Sequence, residues 1–284
     1  MNQLSIEKRA VILNLMVEGT SIRAITRLTG VSINTVTKLL VDAGTACLRY
    51  HNENVNPLNT KRIQADEIWA FCGMKDKNVP QEKGGELGYG DLWTWTGIDA
   101  DSKLMVSFMI GNRDAETAEI FMNDLANRLN NRVQLTTDGL KTYLEAVDNA
   151  FTGMIDYAML HKIYMIGPEG EKRYSPSVCI GCEKKAITGN PDPKHINTSY
   201  VKRQNLTIRM HMRRFTRLTN AHSKKFENHV HAFAIFCMYY NYCKIHSTIR
   251  VTPAMEAGLV KRPWELTDLV TLIDAYKKAD GNSN

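Results

Sequence analysis

Apolar residues recur at helical spacing three times within the first fifty positions, then give way to strand-like runs. In IEKRAVILNLMVEG, Ile6, Ala10, Leu13 and Val17 fall on one stripe and Gly19 closes it. Ser21 to Gly30 reads as a short helix with Ser21 as N-cap and Gly30 at the turn. Ser32 then caps a third helix, INTVTKLLVDAG. A short helix, a glycine turn and a polar-faced helix make a helix-turn-helix pattern. Ser32, Asn34, Thr35 and Lys38 stand at the start of its second helix, where short hydrogen-bonding side chains reach base edges. A three-helix dimerisation module carries the same apolar pattern.

Residues 51–61, polar with a proline, read as a linker. RIQADEIWAFCGMK reads as a strand, 78–90 as a glycine-rich polar loop, and LWTWTGIDADSKLMVSFMIG as a hairpin turning at Asp99–Lys103. An amphipathic helix (AETAEIFMNDLANRLN), a strand (VQLTTDG), a helix (LKTYLEAVDNAF) and a strand (IDYAMLHKIY) follow. Residues 165–198, with prolines, glycines and two cysteines, read as a long loop or insertion. Beyond it come a basic helix over about 199–219, an apolar helix, ENHVHAFAIFCMYYNYCKI, and two tail helices near Pro253–Leu259 and Leu266–Lys278. This order predicts an α/β fold, a mixed sheet with helices on its faces. Trp69, Trp93 and Trp95 lie in strands and are expected to pack rather than stack on bases.

Charge adds what the pattern omits. From Lys194 to Lys225 there are nine Lys or Arg and no acid, whereas the whole chain of 284 residues carries only +6. Such a run favours a polyanionic partner over a solvated face, because it repels itself unless neutralised. Six scattered cysteines suit reduced thiols. Cys179 and Cys182 form a lone CxxC, with His195 the nearest candidate for a further zinc ligand. With no leader pattern and no apolar run of membrane length, the expected location is cytoplasmic.

Two acids sit where chemistry can be placed on a sheet. Asp66 lies inside the first strand and Asp138 ends a later one. A carboxylate in a half-apolar strand is costly to bury unless paired or bound to a cation. Strand alternation sends Glu67 to the opposite face, so Asp66 or Glu67 is expected to join Asp138, not both. Two converging carboxylates invite Mg²⁺, and paired metals flanking a phosphate activate a hydroxyl nucleophile. Taken singly, either Asp also suits a turn or strand-end cap.

QADEIWAF, TTDGLKTY, YVKRQNLTIRMHMRRFTRLTNAHSKKFENH and YYNYCKIHSTIRVTPAMEAG resemble the motifs of the insertion-sequence-one family of DDE-type transposases, in its single-frame form. The likeness runs from about residue 5 to 265. It implies a ribonuclease-H-like core with helices on both faces and a helix-turn-helix that binds terminal inverted repeats. It also implies cleavage and strand transfer of DNA dependent on two Mg²⁺ (or Mn²⁺) ions held by Asp66 and Asp138. On this reading residues 1–50 bind DNA, 51–61 link, 62–245 form the core with its insertion, and 246–284 form a helical tail. Joining two DNA ends calls for a homodimer or higher oligomer on double-stranded DNA, in the nucleoid. A cysteine-rich zinc module, frequent in relatives, has no counterpart here, since only Cys47 precedes residue 72.

One position departs from the resemblance. The third catalytic acid, a glutamate in Tyr-Val-Glu-Arg-Gln-Asn, is replaced by Lys202 in Tyr200-Val201-Lys202-Arg203-Gln204-Asn205. Lys202, Arg209 and Arg213 fall within about 40° on one helical face. That face, with Arg203, Asn205, Arg214 and Arg217, is expected to meet DNA phosphates. A protonated lysine cannot ligate Mg²⁺, so three accounts stand open. The chain is inactivated; Glu227, or failing it Glu183 or Asp192, substitutes; or two carboxylates retain partial activity. A non-catalytic DNA-binding repressor derived from a transposase is the rival of the enzyme.

Overall fold

The computed structural model describes residues 3–164, 179–216 and 220–281. Its centre is a six-stranded mixed sheet in the order β3-β2-β1-β4-β5-β6. The strands are β1 (Arg62–Cys72), β2 (Gly90–Asp99), β3 (Met105–Gly111), β4 (Gln134–Asp138), β5 (Asp156–Tyr164) and β6 (Cys179–Thr188). β1, β2 and β3 form an antiparallel meander, β1, β4 and β5 run parallel, and β6 returns antiparallel to β5. This arrangement is consistent with a ribonuclease-H-like core.

Helices α4 (Ala115–Asn127) and α5 (Thr142–Phe151) cover one face; α6 (Ser199–His211) and α7 (Phe226–Met238) cover the other. β1 is buried along nearly its whole length because it is central. Its odd residues Ile63 and Ala65 join the apolar cluster of Phe121, Leu125 and Tyr143, while Ile68 and Ala70 join Ile208, Phe215 and Phe233. The period-two alternation of one strand thus supplies both cores.

The N-terminal helices are α1 (Ile6–Val17), α2 (Ile22–Thr29) and α3 (Ile33–Asn54). Ser5, Ser21 and Ser32 each accept a backbone N–H of the first turn, and Gly30 closes α2 at φ +70°. α3 continues to Asn54, into the segment read as a linker, because its later turns bury Ala43, Ala46, Cys47 and His51. The tail helices are α8 (Pro253–Glu256) and α9 (Leu266–Ala279). α9 packs on α1 and α3, with a bidentate Arg9–Asp274 pair at 2.6 and 2.7 Å.

Two other expectations are corrected. Residues 179–188, read as loop, form β6; its side chains are mostly exposed, so it carries no apolar alternation to announce it. The basic helix stops at His211 rather than near 219, because Met212 is extended (φ −129°, ψ 93°), and a single 3-10 turn, Arg213–Phe215, follows. Arg213 therefore does not share the helical face of Lys202.

Where α3 crosses α7, Gly44 lets the backbones meet: a Cβ there would lie 2.3 Å from the His231 Cβ and 2.5 Å from its Cα. Gly44→Ala is therefore expected to destabilise the protein by about 2 kcal/mol, overpacking outweighing the better helix propensity of alanine. Urea denaturation measures this; an unchanged or higher midpoint contradicts it.

Two buried histidines make the fold acid-sensitive. His51 Nε2 lies 3.0 Å from the Val106 carbonyl, and His229 Nδ1 lies 2.8 Å from Ser223 Oγ. Burial, reinforced by Arg128 and Arg214 respectively, pushes both imidazoles down to about 3. Unfolded, they titrate near 6.5 (about the free value), so below that pH the unfolded chain binds more protons. Stability is complete above about pH 6.5 and falls as pH drops, by about 2 kcal/mol per histidine at pH 5. Denaturation midpoints at pH 7.5 and 5 should differ accordingly, and His229→Gln should remove roughly half of the difference.

Candidate active site

Around Ala65, β1 carries three polar residues, Gln64, Asp66 and Glu67. Gln64, on the α6 side, accepts the Tyr200 and Val201 N–H groups at 2.9 and 3.1 Å and donates to Asn197 Oδ1 at 2.7 Å. No side chain of the adjoining Thr198 caps α6, so a strand residue does. One pleat on, Asp66 meets the next turn of that helix. Its Oδ1 lies 3.3 Å from Lys202 Nζ and its Oδ2 accepts from Asn205 Nδ2 at 2.8 Å. Gln64 fixes the helix end, and the helix then aims Lys202 and Asn205 at Asp66.

Asp138 is the last residue of β4, with Oδ1 accepting the Leu140 N–H at 3.0 Å. Gly139 follows, and the His161 ring packs so close that a Cβ at 139 would lie 2.4 Å from its Nδ1. The β1–β4 ladder ends at Gln64↔Thr136, two residues before Asp66 and Asp138. The neighbouring strands therefore part where the carboxylates stand. In sheets of this kind such a parting, at the carboxyl ends of strands whose connections leave in opposite directions, is where ligands bind.

Glu67 enters the same space. One oxygen each of Asp66, Glu67 and Asp138 lie within 4.8 Å of one another. This corrects the expectation that only one of the two adjacent acids could join Asp138. Alternation does send Glu67 to the α5 side, where Oε2 accepts from the buried Tyr143 hydroxyl at 3.2 Å and Oε1 accepts from Arg113 Nε at 2.8 Å. With no ladder between the parted strands, side chains from both faces reach one point. Burial pushes the Asp66 carboxyl up against the pull of Lys202. Burial, then Asp138 and Asp66, push Glu67 up to about 7.

A cleft of about 500 Å³ opens beside the acids, lined by Arg113, Asp138, Lys141, His161, Lys162 and Lys202 among others. Four cationic side chains thus surround the carboxylates. Lys141 lies within TTDGLKTY and Lys162 within IDYAMLHKIY, but neither carries a sequence signal that marks it as a site residue. Arg113 lies two residues beyond β3 and reaches the site only through the strand order, so no local signal marks it.

The other expected residues are distributed as follows. Arg203 is exposed on α6 and Arg209 half-buried; Arg213 is exposed on the 3-10 turn. The Arg214 guanidinium turns inward, donating to Ser223 Oγ at 3.0 Å and the Asn228 carbonyl at 3.2 Å, and burial pushes it down to about 10. Arg217 lies outside the described residues. Glu227, Glu183 and Asp192 stand apart from the acidic group. Glu227 opens α7 close to Cys72, which is six residues beyond Asp66, about 20 Å along the strand. Cys179 and Cys182 are free and exposed, and no metal-ligating group among the described residues includes them or His195. Ser32 spends its hydroxyl on the Thr35 N–H, while Asn34, Thr35 and Lys38 are exposed at the start of α3. Trp95 is fully buried, and Trp69 and Trp93 are half-buried.

No family model matches the sequence, and no curated protein matches it. Among solved structures the fold is similar to piggyBac transposase in a cryo-EM synaptic complex with hairpin DNA. The TM-score is 0.42 with 13% identity, over 100% of this chain and 77% of that one. A likeness of that size says nothing by itself about function. Among the described residues, no helix is long and apolar enough to cross a membrane.

Proposed function

We propose that the chain is a DDE-type DNA transposase of the insertion-sequence-one kind, acting on phosphodiester bonds at the parting of β1 and β4. The observation that carries this reading is the convergence of Asp66, Glu67 and Asp138 within 4.8 Å beside a cleft rimmed by Arg113, Lys141, Lys162 and Lys202. Carboxylates gathered in a ring of cations suit a cation and a polyanion together.

An all-oxygen donor set of this size suits a hard divalent cation such as Mg²⁺ or Mn²⁺, held by Asp66 and Asp138. Lys202 fills the position of a further acid with an ammonium, so the site fits one ion better than two. When bound, such an ion would polarise the scissile phosphate as a Lewis acid. The chain's own groups do the rest. Arg113, Lys141 and Lys162 neutralise the phosphate that enters the cleft, and Asn205 holds Asp66 in place. Arg203, Arg209 and Arg213 extend phosphate binding along and beyond α6. Asn34, Thr35 and Lys38, at the start of α3, read the element's terminal repeats as a helix-turn-helix would. Two ends must be joined, so the working form is at least a dimer, on DNA in the nucleoid.

The Asp66–Lys202 pair favours one alternative, a DNA-binding repressor that has lost the chemistry. The two readings separate on labelled terminal DNA with Mn²⁺. The wild-type chain should cleave it and Asp138→Asn should not, while both bind it with an affinity that falls steeply with salt. Binding without cleavage by the wild type, with cleavage by Lys202→Glu, selects the repressor. Cleavage by Asp138→Asn at the wild-type rate sinks the site assignment.

A further inference from the structure

Resting on the cation-site reading above, we infer that Glu67 supplies the third carboxylate of this site, taking over the ligand role from the α6 position that Lys202 occupies. The helix facing β1 offers no third carboxylate here: it presents an ammonium 3.3 Å from Asp66. The missing oxygen reaches the same point from the other face of the sheet, through the gap left where the β1–β4 ladder stops at Gln64↔Thr136.

The hydrogen bonds of Glu67 leave it able to ligate. Both Arg113 donors go to Oε1, and among the described residues Oε2 accepts the Tyr143 hydroxyl, at 3.2 Å. A carboxylate oxygen has two lone-pair positions, so Oε2 keeps one for a cation. Tyr143 then stands as the outer partner that orients a ligating carboxylate.

A second observation, independent of the acids, points to a ligand at the same place. Asn205 is 5% exposed and its amide reaches into the cluster, with Nδ2 on Asp66 Oδ2 at 2.8 Å. Its Oδ1 accepts from nothing among the described residues. A buried amide oxygen without a donor is costly unless an ion or an ordered water meets it, so the site has room for a ligand there. The ligand class is an oxygen-seeking divalent cation, Mg²⁺ or Mn²⁺.

The test is a Mn²⁺ titration of the full chain, followed by loss of the free-ion electron paramagnetic resonance signal. The wild type should bind one Mn²⁺. Glu67→Gln should bind at least about tenfold more weakly, Asp66→Asn should lose the site, and Glu227→Gln should match the wild type. Thermal melts of the metal-free proteins check folding. If Glu67→Gln does not fold, Glu67→Asp, one methylene shorter, should show the same loss. Wild-type affinity in the folded Glu67 variant, with the site lost in Asp66→Asn, overturns the inference and leaves the cation site standing. A wild-type chain that binds no Mn²⁺, or an Asp66→Asn chain that binds as the wild type does, overturns both.

Discussion

Lys202→Glu is expected to tighten divalent-cation binding about 100-fold and to speed metal-dependent DNA cleavage by a similar factor. The ammonium lies 3.3 Å from Asp66, inside the space a cation would share. Two unit charges about 4 Å apart interact by roughly 4 kcal/mol at an effective dielectric near 20. Lys202 is about one-third exposed, and solvent screening reduces that to about 2–3 kcal/mol, hence the hundredfold figure. The same substitution should lower the melting temperature of the metal-free protein, because a fourth carboxylate then faces Asp66, Glu67 and Asp138. Added Mn²⁺ should restore it. Parallel melts with chelator and with Mn²⁺, beside cleavage assays, check both halves. Unchanged affinity would mean that Lys202 does not compete for the site.

Gln64→Leu is expected to cost about 3–5 kcal/mol, the largest loss of stability anticipated for one substitution in this chain. Leucine keeps most of the volume, so the cost is polar. The Tyr200 and Val201 N–H groups lose their acceptor and Asn197 keeps only its Ser199 donors, at a position only 2% exposed. Each unsatisfied buried group costs about 1–3 kcal/mol. Hydrogen exchange should show the first turn of α6 losing protection ahead of the rest of the helix, while global denaturation falls to lower urea. A first turn exchanging as slowly as in the wild type would refute the capping role of Gln64.

These two residues also mark how far the sequence could be read. Ser21, Ser32 and Gly30 announce their helix ends because a cap is a local event, decided within four residues. Asp66 and Asp138 are legible because an acid in an apolar strand needs an explanation, and both lie in strands that prove to be neighbours. Gln64 carries no such signal, since its acceptor role depends on a helix more than 130 residues away. Strand alternation lets only one of Asp66 and Glu67 join Asp138, a rule that assumes an unbroken ladder; the ladder breaks at that point. The basic run after residue 199 continues the helical charge pattern past His211, yet extended backbone at Met212 ends the helix. Local pattern cannot see that break, and it misplaces Arg213 and Arg214. β6 escapes notice for the opposite reason: an exposed edge strand needs no apolar alternation.

The central claim is that the parting between β1 and β4 holds a divalent cation where DNA phosphates arrive. Anomalous diffraction from crystals of the protein grown with Mn²⁺ and a short DNA end measures this most directly. The account predicts a manganese peak about 2.0–2.3 Å from oxygens of both Asp66 and Asp138, with a DNA phosphate within reach of it. A well-ordered DNA complex with no peak between those two aspartates, or with manganese bound only elsewhere, contradicts it.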